Sequence, residues 1–117
     1  MPAPPYKMWE ILERARTGPF CEDEAFTMDR FLPKMREVIK KHGIEYDPAT
    51  PIPSDDGLAD AVWQAGVEFF LEVGVLSVDT HRILTFDESE VREALYLIPG
   101  QYMVGSGKDS RLLRCRE

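Results

Sequence analysis

The stretch from Ser54 to Gly74 constrains this chain more than any other. Ser54 or Asp55 can cap a helix there, because either side-chain oxygen accepts a bond from an unpaired N–H of the first turn. Leu58, Ala61, Val62, Ala65, Phe69 and Val73 then share one helical face, and Trp63, Val67 and Phe70 widen it. A helix apolar over more than half its circumference is expected at the centre of a core. Gly66 costs ~1 kcal/mol against Ala inside a helix, so its presence predicts a close packing neighbour. Gly74 is the expected stop. The period then changes. Val75-Leu76-Ser77-Val78 and Arg82-Ile83-Leu84-Thr85-Phe86 read as two short strands around the turn Asp79-Thr80-His81.

The segments on either side follow the same punctuation. Met1-Pro2-Ala3-Pro4-Pro5 reads as an extended arm, and Tyr6 to Ala15 as a short helix with Met8, Trp9, Leu12 and Ala15 on one side. Thr17-Gly18-Pro19 ends that helix. A second helical region runs from Glu22 to His42, opening on Glu22, Asp23 and Glu24, which suit the positive end of a helix dipole. Pro33 lacks a backbone donor and predicts a kink or two abutting helices. Met35, Val38, Ile39 and His42 form the face beyond it, and Gly43 stops it. Tyr46 to Pro53 is loop. Asp87 with Glu90 makes a capping-box-like start to a helix through Leu97, whose buried face is Val91, Ala94, Leu95 and Ile98. After Pro99-Gly100, Gln101 to Val104 and Arg111 to Cys115 are strands of a second hairpin. The sequence thus reads as one α+β domain over 1–117. Residues 1–20 are arm and short helix, 21–56 kinked helix and Pro-rich loop, and 57–117 helix, hairpin, helix, hairpin.

Composition excludes several classes. With 117 residues, 44% of them hydrophobic and 30% charged, the chain fits one globular domain. No apolar run approaches the ~20 residues of a membrane helix. The N-terminus has no basic region followed by an apolar stretch, so a cytoplasmic protein is expected. The net charge of −7 argues against nucleic acid or an anionic membrane as main partner. Charge is nevertheless uneven: Glu22 to Glu24 are acidic, whereas Lys108, Arg111, Arg114 and Arg116 make a basic end that could dock on an acidic partner. Cys21 and Cys115 lie far apart with no CxxC, and read as free thiols of a reducing compartment.

Motifs for chemistry are sparse. Gly105-Ser106-Gly107-Lys108-Asp109-Ser110 invites comparison with a phosphate-binding loop, but Tyr102 stands where the first Gly is needed and Asp109 where Ser or Thr must follow Lys. A hairpin turn is the better account. His81 beside Asp79 could form an acid–base pair, although a turn places Asp and Thr for its own reasons. His42 could be a ligand, but near a helix C-terminus it complements the dipole. There is no HExxH, EF-hand loop, GxGxxG or nucleophile motif.

Three stretches carry a resemblance: Gln64-Ala65-Gly66-Val67-Glu68-Phe69-Phe70-Leu71-Glu72-Val73-Gly74, Asp79-Thr80-His81-Arg82-Ile83 and Tyr102-Met103-Val104-Gly105-Ser106-Gly107-Lys108-Asp109. Cys21 before an acidic opening, Pro33, and Lys41-His42-Gly43-Ile44 fit as well. In these the chain resembles the N-terminal part of the monomethylamine methyltransferase family, and in outline that of the trimethylamine methyltransferase group. The resemblance implies a mostly helical extension with small antiparallel hairpins, of the kind packed on a TIM barrel. It also implies transfer of a methyl group from monomethylamine to the cobalt of a corrinoid carried by a partner protein. In such enzymes pyrrolysine at the barrel mouth presents the methyl group, supported by a carboxylate and an amide. A barrel needs ~200 residues or more, so none of those positions falls here. No catalytic, cofactor-binding or metal residue is therefore assigned to this chain. The matched motifs read as determinants of fold. The partners implied are the missing barrel or other methyltransferase subunits, a corrinoid protein, or a second copy of the chain. The alternative is a stand-alone binding module of this family that docks on a corrinoid protein or methyltransferase subunit.

Overall fold

The computed structural model describes residues 6–115. The expected arm at residues 1–5, and Arg116 of the basic end, lie outside them. The chain divides into two compact units, Met1–Asp87 and Glu88–Glu117.

The first unit begins with α1 (Tyr6–Thr17). Gly18 ends it by donating its N–H to Arg14 O at 2.8 Å. A Cβ at Gly18 would stand 2.2 Å from Ile83 O, so only glycine lets the chain cross there. Beyond it, Pro19 O accepts from Ile83 N–H at 2.9 Å and Cys21 N–H donates to His81 O at 2.8 Å. Phe20 is thereby bridged antiparallel to Arg82.

The next helical run is unbroken: α2 (Asp23–Ala25), a π-helical segment (Phe26–Phe31) and α3 (Leu32–Lys41). The interruption expected at Pro33 is the π segment. Leu32 N–H reaches back to Thr27 O, five residues earlier. The widened turn lets Pro33 sit in the first turn of α3, where its missing donor is harmless. The end of α3 is a Schellman motif: Gly43 has φ +61°, Ile44 N–H donates to Ile39 O, and Gly43 N–H donates to Lys40 O.

Asp55 is the cap of α4 (Asp56–Val73), its Oδ1 accepting from Leu58 N–H at 3.2 Å. At the other end Gly74 has φ +74° and ψ −159°, a region essentially closed to other residues. A Cβ there would also lie 2.4 Å from Leu84 O. Arg30 caps the last carbonyls of α4, its Nε donating to Val73 O at 2.7 Å and its Nη2 to Glu72 O at 3.0 Å. Strands β1 (Val75–Ser77) and β2 (Arg82–Leu84) pair antiparallel, with Leu76 opposite Ile83. Thr80 in their turn donates through Oγ1 to Ala15 O at 2.6 Å, tying the turn to α1.

The core is small: among the described residues Val38, Ala65, Val73, Ile83 and Leu84 are the buried apolar ones. Phe31 meets Phe69 edge to face at 5.0 Å, Phe70 stacks on Phe86 at 5.5 Å, and the Arg14 guanidinium covers Phe86 at 5.3 Å. Hence α4 is central only over its C-terminal half. Val62 and Trp63 are exposed, so the central place expected of this helix holds for only part of its apolar arc. Gly66 is exposed too, and a Cβ there would meet nothing within 4 Å, so no close neighbour explains it.

The second unit consists of α5 (Glu88–Tyr96) and the hairpin β3 (Gln101–Val104) and β4 (Arg111–Arg114). Tyr102 pairs with Leu113 and Met103 with Leu112. Cys115 N–H donates to Gly100 O at 3.0 Å and closes the base. None of the described residues of this unit is buried. No described helix is long and apolar enough to cross a membrane.

Gly74→Ala is expected to lower unfolding stability by about 3 kcal/mol, from forbidden backbone geometry and collision with the Leu84 carbonyl. Gly66→Ala, in open space on a helix, is expected to raise it by up to about 1 kcal/mol. Urea denaturation of the two variants against the parent checks both signs.

Candidate interaction surfaces

The polar groups singled out in the sequence do not converge on a reaction centre. His81 has φ +52°, and its Nδ1 lies 3.3 Å from Asp23 Oδ1 rather than being held by Asp79. That separation is an electrostatic contact without hydrogen-bond geometry, for Nδ1 is buried and unpaired. The Phe20 ring packs 5.9 Å from the imidazole. Asp23, and not the neighbouring Asp79, is thus the carboxylate placed beside His81. The Gly105 to Ser110 loop is built as a turn, with a 3-10 segment at Gly107–Asp109. Asp109 N–H donates to Ser106 O and Ser110 N–H to Gly107 O, so these amides are committed to the loop and do not face an anion. Arg111 donates to Lys108 O and Ser110 O, which spends part of the basic end on its own turn. Cys21 is half-buried and Cys115 exposed, each a free thiol. Among the described residues no group of three or more His, Cys, Asp or Glu is placed to hold a metal ion.

A polar constellation missed in the sequence joins α3 to α4. The Glu68 carboxylate accepts from Lys41 Nζ at 2.7 Å and lies 2.9 Å from His42 Nε2. These hydrogen bonds, Lys41 first and His42 second, lower the Glu68 pKa from 4.5 to about 2. A carboxylate held so low neither takes nor gives protons near neutrality. Its role is to pin the C-terminus of α3 against α4. Lys34 ion-pairs with Glu72 one helical turn further along α4 and with Glu37 at 3.0 Å. Adjacent Lys41 and His42 announced nothing about Glu68, because the pair is long-range and sequence carries only local signals of charge.

The remaining feature is apolar. In the first unit, Pro53, Leu58, Ala59, Val62 and Trp63 line a groove with Asp55 at its edge. Met8, Trp9 and Leu12 are exposed on α1. In the second unit every residue of β3 and β4 is exposed. Tyr102 is 55% exposed and Met103 61%, although the two point to opposite faces. Leu112 and Leu113 repeat the arrangement on the partner strand. Large exposed apolar patches on a domain mark surfaces that something else covers.

The folded pKa of Glu68 is depressed, so its contribution to stability is complete above pH 4.5 and is lost as pH falls towards 2. Thermal melts between pH 2 and 5 are expected to show a steeper acid loss in the parent than in Glu68→Gln, with the curves converging at the acid end.

Comparison with known proteins agrees with this picture. Residues 6–117 match the family model described as Monomethylamine methyltransferase MtmB. The chain is 27% identical over 111 residues to monomethylamine methyltransferase MtmB of Methanosarcina mazei, and likewise to MtmB1 of Methanosarcina barkeri. In each case the match covers 95% of this chain and 24% of the relative, so the chain spans about a quarter of the length of those proteins. The crystal structure of the Methanosarcina barkeri monomethylamine methyltransferase superposes with a TM-score of 0.83 at 27% identity, covering 91% of this chain and 23% of that one. A crystal structure of the hydroxylamine MtmB complex superposes equally well. An α+β fold of helices and small antiparallel hairpins, forming a piece of a larger architecture, is what these relatives share with it. The chain belongs to the monomethylamine methyltransferase family and corresponds to its N-terminal part.

Proposed function

We propose that this chain is the N-terminal, non-catalytic domain of a methyltransferase that moves the methyl group of monomethylamine to a corrinoid protein. Its role is to cover part of a catalytic TIM barrel. The observation that carries the reading is the apolar surface on both faces of the β3–β4 hairpin, with the groove beside Trp63 adding to it. The family match over residues 6–117 supports taking both units as one N-terminal domain. The chemistry then lies in the barrel, and the domain works in the cytoplasm by stabilising and shaping that barrel.

Both histidines of this chain have local partners. His42 Nε2 is engaged by Glu68, and His81 Nδ1 is buried beside Asp23. In this reading the corrinoid is carried by a partner protein, as the family resemblance implies. A stand-alone binding module would need the same apolar surfaces, and native mass separates the two readings.

The intact protein carrying this sequence, isolated from its source cells, is expected to have a mass several times 13.4 kDa. Taken alone, the 117-residue chain is expected to self-associate in sedimentation velocity and to bind an apolar dye. A native mass near 13.4 kDa, with a clean monomer that binds no dye, overturns the proposal.

A further inference from the structure

We infer that the β3–β4 hairpin is a two-sided insert, gripped on both faces by the part of the methyltransferase that this chain does not contain. The inference rests on the proposed function and adds to it a particular surface and mode of contact. Opposed residues of an antiparallel pair share a face. The register therefore places Tyr102, Val104 and Leu113 on one face and Met103 and Leu112 on the other. A hairpin lying on the outside of a body needs an apolar face inward and a polar face to water. This one has a large apolar pair on each side, at successive rungs of the ladder. The only polar side chains in the strands are Gln101, Arg111 and Arg114, all at the strand ends.

Among the described residues of its unit, none covers either face fully. Each strand has one hydrogen-bonded neighbour, its hairpin partner, and all the strand residues remain exposed. An isolated two-stranded hairpin is marginal in water. Open edges and two apolar faces compound the problem.

The occupant is the rest of the family polypeptide. This chain is 24% of the length of its relatives, which leaves a body large enough to offer a cleft. A second copy is the weaker candidate on geometric grounds. Symmetric pairing of two hairpins covers the same face on each and leaves the opposite face in water.

Tyr102 and Met103 are neighbouring residues on opposite faces, and both side chains react readily with hydroxyl radicals. They serve as built-in probes. Footprinting followed by mass spectrometry compares the isolated 117-residue chain with the native protein from source cells. Tyr46, 71% exposed in the loop of the first unit, is the reference for general accessibility. The expected result is ready oxidation of both probes in the isolated chain, labelled at a dilution where sedimentation shows it monomeric, and at least tenfold protection of both in the native protein. Protection of one probe only, or of neither, in a protein several times heavier than 13.4 kDa overturns the insert and leaves the methyltransferase reading standing. A native mass near 13.4 kDa with both probes reactive overturns the two together.

Discussion

The first unit depends on how α4 hands the chain to β1. Gly74 adopts a backbone conformation that no side chain tolerates, with its Cα side pressed on the Leu84 carbonyl. That contact brings Val73 and Leu84 into the same buried cluster as Ile83. The carbonyls left open at the helix end are taken by Arg30 from the π segment, which fixes the second helical run against α4. Glu68 fastens the far end of that run through Lys41 and His42. Gly18 makes the matching approach from the other side, where its N-terminal neighbour α1 meets Ile83. A core of a few small side chains holds because backbone contacts and charged clasps surround it.

Local chemistry made much of this legible in the sequence. Caps and stops at Asp55, Gly43 and Gly74 are short-range signals, and each holds in the structure. The change of period after Gly74 located β1 and β2, and the Gly105 to Asp109 cluster located the turn of the second hairpin. Pro33 announced a disturbance but not its form. A π segment is selected by the packing of the whole run, and proline alone does not specify it. Gly66 misled for a related reason: a helical glycine signals a close neighbour or none, and here the space is open. The apolar arc of α4 was readable as apolar, but periodicity cannot say whether the covering body lies in the same chain. The Glu68 clasp and the His81–Asp23 contact are long-range and left no local trace.

The two units differ in what they can supply for themselves. The first has a buried cluster, capped helices and a strand flanked on both edges by backbone hydrogen bonds. The second has a helix and a hairpin with no buried residue among those described. A segment of that kind gains its stability from a surface elsewhere. The same account explains why the polar residues here build turns and clasps. In the proposed reading, the domain presents apolar faces and holds their positions, and the reacting groups lie in the part of the enzyme outside this chain.

Amide hydrogen exchange of the isolated chain tests this central claim most directly. The account predicts strong protection along α4 and β2, with β3, β4 and α5 exchanging nearly as fast as unfolded peptide. Protection of the β3–β4 amides equal to that of α4 in the isolated chain would contradict it, because the hairpin would then be stable without the surface it is proposed to need.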